Sequence, residues 1–370
     1  MDSGRLGNVS RVDLTLRPAA NEPTCIGVGF VAADIVEGST EEFVAVGGSC
    51  GNVMSILAWF GWSAFPVART GQDRAAAVIH KDFDSVGVQQ GFLSNERSIR
   101  TPIVIQRFIE DREGKRVHRF SLVCPECGGW LPRYRASTLK QAAAVIMSGL
   151  APKVLYMDRV SPAALRIATW AKDVGALVVF EPSSIGDERQ FQSAVDLCHI
   201  LKFSRDRLGQ IRDLREAQGP KIIIETRSED GLRFRWRKHW SELPAFQTPR
   251  FLDSAGAGDW CSAGVIHLLG TRGAQILDTL QKPRLLSALR FGQALAAVNC
   301  GFEGARGAMM AMTRAQLAKR LTTLAEKGPE TIVEPEDLSE RGDETATRLC
   351  PTCSPVRRRD RAKRNSSRSR

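Results

Sequence analysis

Along the chain, short runs of consecutive apolar residues recur between longer stretches whose apolar positions fall on one helical face. The runs at 25–31, 64–68, 154–157, 177–180, 200–203 and 222–226 predict strands. Between them, the stretches 53–59, 74–82, 139–147, 163–172 and 191–197 predict helices, and three later helices are expected at 257–269, 285–299 and 314–326. One region breaks the alternation. Extended runs at 103–109 and 117–123 flank the turn-forming residues 111–115, which predicts a hairpin. Strands alternating with helices imply right-handed crossovers and a largely parallel sheet covered on both faces, with ligands at the carboxyl ends of its strands. The expected fold class is therefore α/β and doubly wound. No solenoid-type repeat interrupts it.

Three segments are expected: a loose polar extension at 1–23, one folded domain at 24–330, and an extension at 331–370 that is acidic, then carries a cysteine pair, then turns basic. With 43% apolar residues in 370, the chain can bury a large core, which excludes disorder throughout. The net charge of +11 is concentrated at the end, where residues 357–370 hold eight Lys/Arg and one Asp. The high charge thus describes a tail and not a nucleic-acid-binding surface on the domain. Such a tail is expected to be a solvated, disordered end, with an RNA, DNA or acidic-partner contact as the minority reading. No run of about eighteen apolar residues appears and the first twenty residues lack an apolar core, so neither membrane insertion nor export is expected and the location expected is cytoplasmic. Nine cysteines, an odd number, fit a reducing compartment.

The chemistry concentrates in Asp253-Ser254-Ala255-Gly256-Ala257-Gly258-Asp259, which runs straight into an apolar helix. Small residues at a helix start let backbone N–H groups approach a phosphate, and the helix end adds roughly half a positive charge. Gly256, Ala257 and Gly258 are the candidate anion hole. Asp259 is the candidate base, since phosphoryl transfer needs positioning, charge stabilisation and one group to take the proton of the attacking hydroxyl. An Asp in a first helical turn is also an ordinary capping residue, and that alternative stays open. Upstream, Gly47-Gly48-Ser49-Cys50-Gly51-Asn52 is followed by Leu57-Ala58, Gly61 and Gly71-Gln72-Asp73. Read alone, the glycines could form a turn and Asn52 could cap a helix.

Taken together, these motifs resemble the ribokinase/PfkB carbohydrate kinases. The downstream segment is similar to that family's Asp-Thr-x-Gly-Ala-Gly-Asp, and the upstream one to its Gly-Gly-x-x-x-Asn, its Leu-Ala-x-Leu-Gly and the Gly-x-Asp after it, all in the family's order. The resemblance covers roughly residues 24–327. It implies a ribokinase-like sheet with a small β lid, for which 101–123 and parts of 34–46 are candidates, closing over the acceptor to expel water. It also implies ATP and Mg²⁺ as cofactors, a monovalent cation near the Asp253 loop, a small polyol acceptor, and a homodimer through the lid. Asp34, Gly47, Gly48 and Asn52 match positions that hold acceptor hydroxyls. Thr226, Gly231 and Asn299 match the nucleotide side, although Ser228 stands where the family has Gly and helix capping accounts equally well for Asn299. The 202–207 stretch departs from the family's Asn-x-x-Glu or Lys-x-Ser-x-Glu-Glu: the last Glu is Arg207 and only Asp206 keeps an acidic charge, which puts the metal geometry and the rate in question.

Cys124-Pro125-Glu126-Cys127 and Cys350-Pro351-Thr352-Cys353 are two CPxC knuckles. Four thiolates suit a structural Zn²⁺, and a shared site would fold the C-terminal segment back beside the hairpin. A redox pair, free thiols or separate metal sites are the alternatives. The other cysteines, Cys25, Cys50, Cys198, Cys261 and Cys300, lie in apolar settings and read as core fillers. Trp130, Arg133 and Arg135, just past the first knuckle, could reach an acidic or phosphorylated acceptor or could be a solvated face. Two functions are compatible with these features: a kinase of a sugar or nucleoside-like hydroxyl, or a weakly catalytic binding module whose zinc-tethered tail engages a partner.

Overall fold

The structure is a computed structural model that describes residues 14–38, 42–110, 116–209, 212–248, 251–327 and 349–353. Expectations for residues 1–13, for the hairpin turn at 111–115, for the acidic stretch and for the basic tail lie outside these. In chain order the strands are β1 (Thr24–Val28), β2 (Ala32–Glu37), β3 (Glu42–Gly47), β4 (Ser63–Gly71), β5 (Leu93–Glu96), β6 (Ile103–Glu110), β7 (Arg116–Ser121), β8 (Val154–Met157), β9 (Leu177–Phe180), β10 (Ile200–Ser204), β11 (Ile222–Thr226), β12 (Leu232–Trp236) and β13 (His239–Leu243). The helices are α1 (Ser49–Trp59), α2 (Arg74–Val86), α3 (Leu139–Ile146), α4 (Pro162–Asp173), α5 (Glu188–Leu197), α6 (Arg205–Leu208), α7 (Arg212–Glu216), α8 (Ala257–Leu269), α9 (Ile276–Thr279), α10 (Lys282–Asn299), α11 (Gly307–Ala311) and α12 (Arg314–Lys327).

Helix starts coincide with their caps. Asp73, Ser161 and Asp187 each accept a hydrogen bond from the backbone three residues on, and Thr138 with Gln141 forms a reciprocal capping box at α3. Nine strands form one sheet in the order β13-β12-β11-β10-β9-β8-β1-β4-β5. From β11 to β5 every pairing is parallel, and only β12 and β13 run antiparallel at the edge. Strand geometry sends alternate side chains to opposite faces. In β8, Val154 and Tyr156 join the core under α1, α8 and α10, whereas Leu155 and Met157 join the core under α3, α4 and α5. The expected doubly wound layering is what these two cores show.

The chain leaves β1 for β4 and β5 on one side and returns as β8 to β11 on the other, so the order of strands reverses around β1. A crevice opens at such a reversal, outside the carboxyl ends of the strands. Over it lies a separate sheet of order β3-β2-β6-β7, so the lid contains the expected hairpin and two further strands ahead of it. One face of this sheet, with Ala33, Ile35, Val46, Ile103 and Ile105, belongs to the large core. The other carries Asp34, Val36, Phe43, Ala45 and Gln106 toward the loop after α10.

Besides the short elements β5, α6, α7, α9 and α11, which the pattern does not predict, two details differ from the sequence reading. The part of the N-terminal extension from residue 14 is docked: Leu14 is buried, Ala19 N–H donates to Phe60 O and the Arg17 carbonyl meets His267 Nε2. The edge hairpin β12–β13 has no counterpart among the expected elements, because its two-residue turn is Arg237-Lys238, both with positive φ, and lacks the glycine or asparagine that usually marks such a turn.

Candidate active site

Asp259 stands in the first turn of α8, where Gly256 takes a left-handed conformation (φ +70°) ahead of it. A Cβ at Gly256 would lie 2.1 Å from the Ala305 carbonyl oxygen, so both the backbone angle and the space require glycine. The loop before it is clamped from inside. Asp253 accepts from Ala255 N–H and Gly304 N–H, each at 2.8 Å. Asn299 donates to the Ala255 carbonyl at 3.0 Å and accepts from Ala308 N–H at 3.1 Å. Asn299, expected on the nucleotide side, is fully buried with both ends of its amide engaged, and it braces the glycine loop.

The two sequence motifs meet here. Asn52, in α1, donates its Nδ2–H to Asp259 Oδ2 at 2.7 Å across 207 positions of chain. Gly47 and Gly48 lead into that helix from β3, and a Cβ at Gly47 would overlap the Asp34 carboxylate at 1.8 Å. Asp34 from β2 accepts from Gln106 Nε2 of β6, and the nearby Gly48 amide favours its charged form. Among the described residues, Asp34 Oδ1 and Asn52 Oδ1 are buried without a hydrogen-bond partner. Buried acceptors are rarely left so, and hydroxyl groups of a ligand would satisfy them. A cavity of about 10 Å³, room for one water, lies between Asp34, Gln106, Arg306 and Met310, so the lid sits close over the site.

Electrostatics sets Asp259 apart from an ordinary surface cap. Burial, then the neighbouring Glu181 carboxylate, push its pKa up to about 7, against hydrogen bonds from Asn52 and Ser49 and the charge of Lys202. Burial likewise lifts Asp34 to about 7, with Gln106 and Arg306 opposing. Glu181 comes directly after β9 and holds the end of this network. It accepts from Tyr156 OH at 3.1 Å, from Ser262 Oγ and from Lys202 Nζ. Lys202 Nζ also donates to the Gly258 carbonyl at 3.0 Å. Burial, the largest single influence, would depress this ammonium, but Glu181, with Cys261 and Asp259 adding to it, keeps its pKa raised.

Two members of the site escape a reading of the sequence. Glu181 is an acid placed immediately after an apolar strand, which is a usable signal for a strand-end site. Arg306, in an irregular loop, has no such signal. Its guanidinium is buried, pairs with Asp82 of α2 and donates to the Val46 carbonyl at 3.0 Å, tying the lid strand β3 to the main domain. On the expected nucleotide side, Thr226 ends β11 and its hydroxyl faces the Phe203 carbonyl at 3.4 Å. Gly231, at φ +86°, is the turn into β12. As for magnesium, Asp206 is exposed, accepts from Ser228 Oγ at 3.0 Å and lies 3.8 Å from Arg205 Nε, and Arg207 is exposed beside it. The residue set therefore offers phosphate groups a glycine-lined helix start but offers a divalent ion few free carboxylates.

The four knuckle cysteines come together in one cluster. Their sulfurs all lie within 4.8 Å of one another, with Cys124–Cys353 and Cys127–Cys350 at 3.8 Å. A disulfide needs about 2.05 Å, so these are not bonded pairs. Four sulfurs around a tetrahedral zinc at about 2.3 Å would stand about 3.8 Å apart, which the two distances match. Amides of Glu126 and Cys127 point at the Cys124 sulfur, and those of Thr352 and Cys353 at the Cys350 sulfur. Among the other cysteines, Cys25, Cys50, Cys198 and Cys261 are buried and Cys300 is half-buried.

Comparison with known proteins agrees with this architecture. The sequence profile described as pfkB family carbohydrate kinase matches residues 28–311. No curated protein matches the chain by sequence. Among solved structures, the fructokinase of Xylella fastidiosa with bound ATP is 16% identical, with a TM-score of 0.65 over 82% of this chain and all of that one. The ribokinase of Giardia lamblia is 15% identical at TM-score 0.65, covering 81% and 99%. The aminoimidazole riboside kinase of Salmonella enterica, complexed with its riboside and an ATP analogue, is 19% identical at TM-score 0.59, covering 80% and 99%. At these identities the likeness is one of fold. Among the described residues, no helix is long and apolar enough to cross a membrane.

Proposed function

Because the chain belongs to the pfkB family of carbohydrate kinases, we propose that it transfers the terminal phosphoryl group of ATP to a hydroxyl of a sugar or nucleoside-like acceptor, with Asp259 as the base. The observation that carries this reading is the 2.7 Å hydrogen bond from Asn52 to Asp259. It unites the acceptor-side glycines and the anion-hole helix in one buried site. A carboxyl whose pKa lies at about 7 is poised to accept a proton near neutral pH.

In this reading the unpartnered Asp34 Oδ1 and Asn52 Oδ1 receive acceptor hydroxyls and fix the alcohol beside Asp259. Asp259 takes the proton as the oxygen–phosphorus bond forms. The start of α8, opened by Gly256, Ala257 and Gly258, stabilises the charge that gathers on the transferring group. Lys202, held by Glu181 and the Gly258 carbonyl, keeps the glycine turn in place and adds positive charge. Thr226 and Gly231 border the nucleotide, and the lid strands exclude water.

Mg²⁺ would travel with ATP and lower the charge on its phosphates. With Glu181 committed to Lys202, Tyr156 and Ser262, this chain's own hold on the ion would be light. We include a monovalent cation at the Asp253 loop and one structural Zn²⁺ on Cys124, Cys127, Cys350 and Cys353 in the same proposal. The second reading, a binding module without useful turnover, draws on Arg207 in place of the family's acid. Assaying ADP release over a panel of sugars, sugar phosphates and nucleosides separates the two. Release dependent on one polyol is expected, and binding without acceptor-dependent release throughout the panel would favour the module.

A further inference from the structure

The loop that carries the first CPxC knuckle does not end at its thiols. Cys124 N–H donates to the Gly129 carbonyl at 2.9 Å and Gly128 N–H to the Cys124 carbonyl at 3.0 Å, closing the knuckle on itself. The chain then pairs Val123 with Trp130, Leu131 N–H donates to the Leu122 carbonyl, and Ile103 N–H, at the start of lid strand β6, donates to the Pro132 carbonyl. Past this pairing the chain forms a shelf. Arg133 lies 4.3 Å over the Trp130 ring, and Trp130, Leu131, Arg133, Tyr134 and Arg135 line an open hollow of about 520 Å³.

This shelf abuts the acceptor side of the active site. The Tyr134 ring meets the Phe30 ring edge-on at 5.8 Å, and the Arg159 guanidinium covers both, at 5.1 Å from Phe30 and 5.9 Å from Tyr134. Phe30 in turn is fixed by its N–H, donated to buried Asp158 at 2.9 Å. Its carbonyl oxygen and ring are so close to Gly48 that a Cβ there would lie 2.4 Å and 3.1 Å from them. A continuous line of contacts therefore runs from the thiols through Tyr134 and Phe30 to the glycines beside Asp34.

From the other side, residues 349–353 press on the knuckle. Leu349 and Cys350 are buried in the large core, and Thr352 Oγ1 lies 3.5 Å from where a Gly129 Cβ would stand. We propose that the four-thiolate zinc centre is a positioning element for catalysis: by stapling residues 349–353 to the knuckle, it holds the 122–137 loop, and through Tyr134 and Phe30 the acceptor-side wall of the cleft. This rests on the proposed zinc and, for its kinetic readout only, on the proposed phosphotransfer. The line runs to the acceptor side and not to Thr226 or Gly231, so loss of the metal separates acceptor binding from ATP binding.

The test uses the full chain, its zinc content, hydrogen exchange of residues 122–137 and, where turnover is found, kinetics. Wild type is expected to carry about one zinc per chain. Cys350→Ser, or chelator-treated wild type where that variant fails to fold, is expected to lose the zinc and to exchange the 122–137 amides about tenfold faster or more. Its acceptor KM is expected to rise about tenfold, with kcat and the KM for ATP changed less than about twofold. Cys353→His, which keeps a zinc ligand, should retain metal, slow exchange and acceptor KM. Tyr134→Ala should keep the zinc yet raise acceptor KM. Unchanged zinc in Cys350→Ser would overturn the metal centre. Zinc lost with exchange of 122–137 unaltered would overturn the brace, whether or not any acceptor is ever turned over. A rise in the KM for ATP as large as that for the acceptor would do the same.

Discussion

Replacing Asp259 by Asn separates the two roles open to this carboxyl, because they move stability in opposite directions. The side chain is buried, and its pKa rises from 3.8 to about 7 on folding, chiefly through burial and the nearby Glu181 charge. Between those values the folded chain holds a proton that the unfolded chain has released. The group's contribution is therefore fully present below about pH 4 and is lost as pH climbs through about 7. At about 1.4 kcal/mol per pH unit, the part lost between pH 5 and pH 8 is about 3 kcal/mol. Asn cannot ionise but can still accept the Asn52 hydrogen bond through its amide oxygen. The gain of Asp259→Asn over wild type is thus expected to grow by about 3 kcal/mol from pH 5 to pH 8, while kcat falls about 10²–10⁴-fold. A carboxylate that merely favoured the helix dipole would behave oppositely, costing about 0.3–1 kcal/mol on replacement, and more at the higher pH. Denaturant unfolding of both proteins at the two pH values, alongside ADP release, reads each quantity. A variant less stable at pH 8 than wild type, with most of its turnover intact, would refute the assignment.

Two further substitutions probe the frame around that carboxyl. Gly256→Ala forces a Cβ to 2.1 Å from the Ala305 oxygen in a left-handed backbone, so the glycine turn must shift. A fall in kcat of at least about tenfold, from displaced phosphate-binding amides, is expected by steady-state assay, and near wild-type kcat would show that the turn does not hold the reacting group. Arg306→Met leaves Asp82 half-buried without its cation and releases the Val46 carbonyl. A loss of about 3–5 kcal/mol is expected in denaturant unfolding, with a weaker acceptor KM from the loosened β3, and unaltered stability would mean that the pair is not formed.

How far the sequence leads depends on whether each signal is local. The helix at 257–269 and the strands at 177–180 and 222–226 coincide with α8, β9 and β11, because glycine turns, caps and apolar runs are written in neighbouring residues. The two CPxC knuckles are legible at any separation, since their chemistry is carried by residue type. By contrast, the pairing of β2 with β6 in the lid joins Ala33 to Ile103, and nothing around either residue announces the other. Arg306 gains its meaning only from Asp82 and Val46, which lie far off in the chain. Asn299 is placed on the nucleotide side only by its position in a motif, and its bonds to the Ala255 and Ala308 backbone could not be read from the residues around it.

The central claim is that the Asp259 carboxyl faces the point where an alcohol meets the terminal phosphoryl group of ATP. Incubating wild type and Asp259→Asn with γ-labelled ATP, Mg²⁺ and the acceptor found in the panel, then isolating the acceptor, tests it most directly. The expected result is label covalently attached to the wild-type acceptor, with a rate that rises as pH passes through about 7, and almost none with the variant. Label released only as inorganic phosphate by wild type, or transferred equally well by both proteins, would contradict the account.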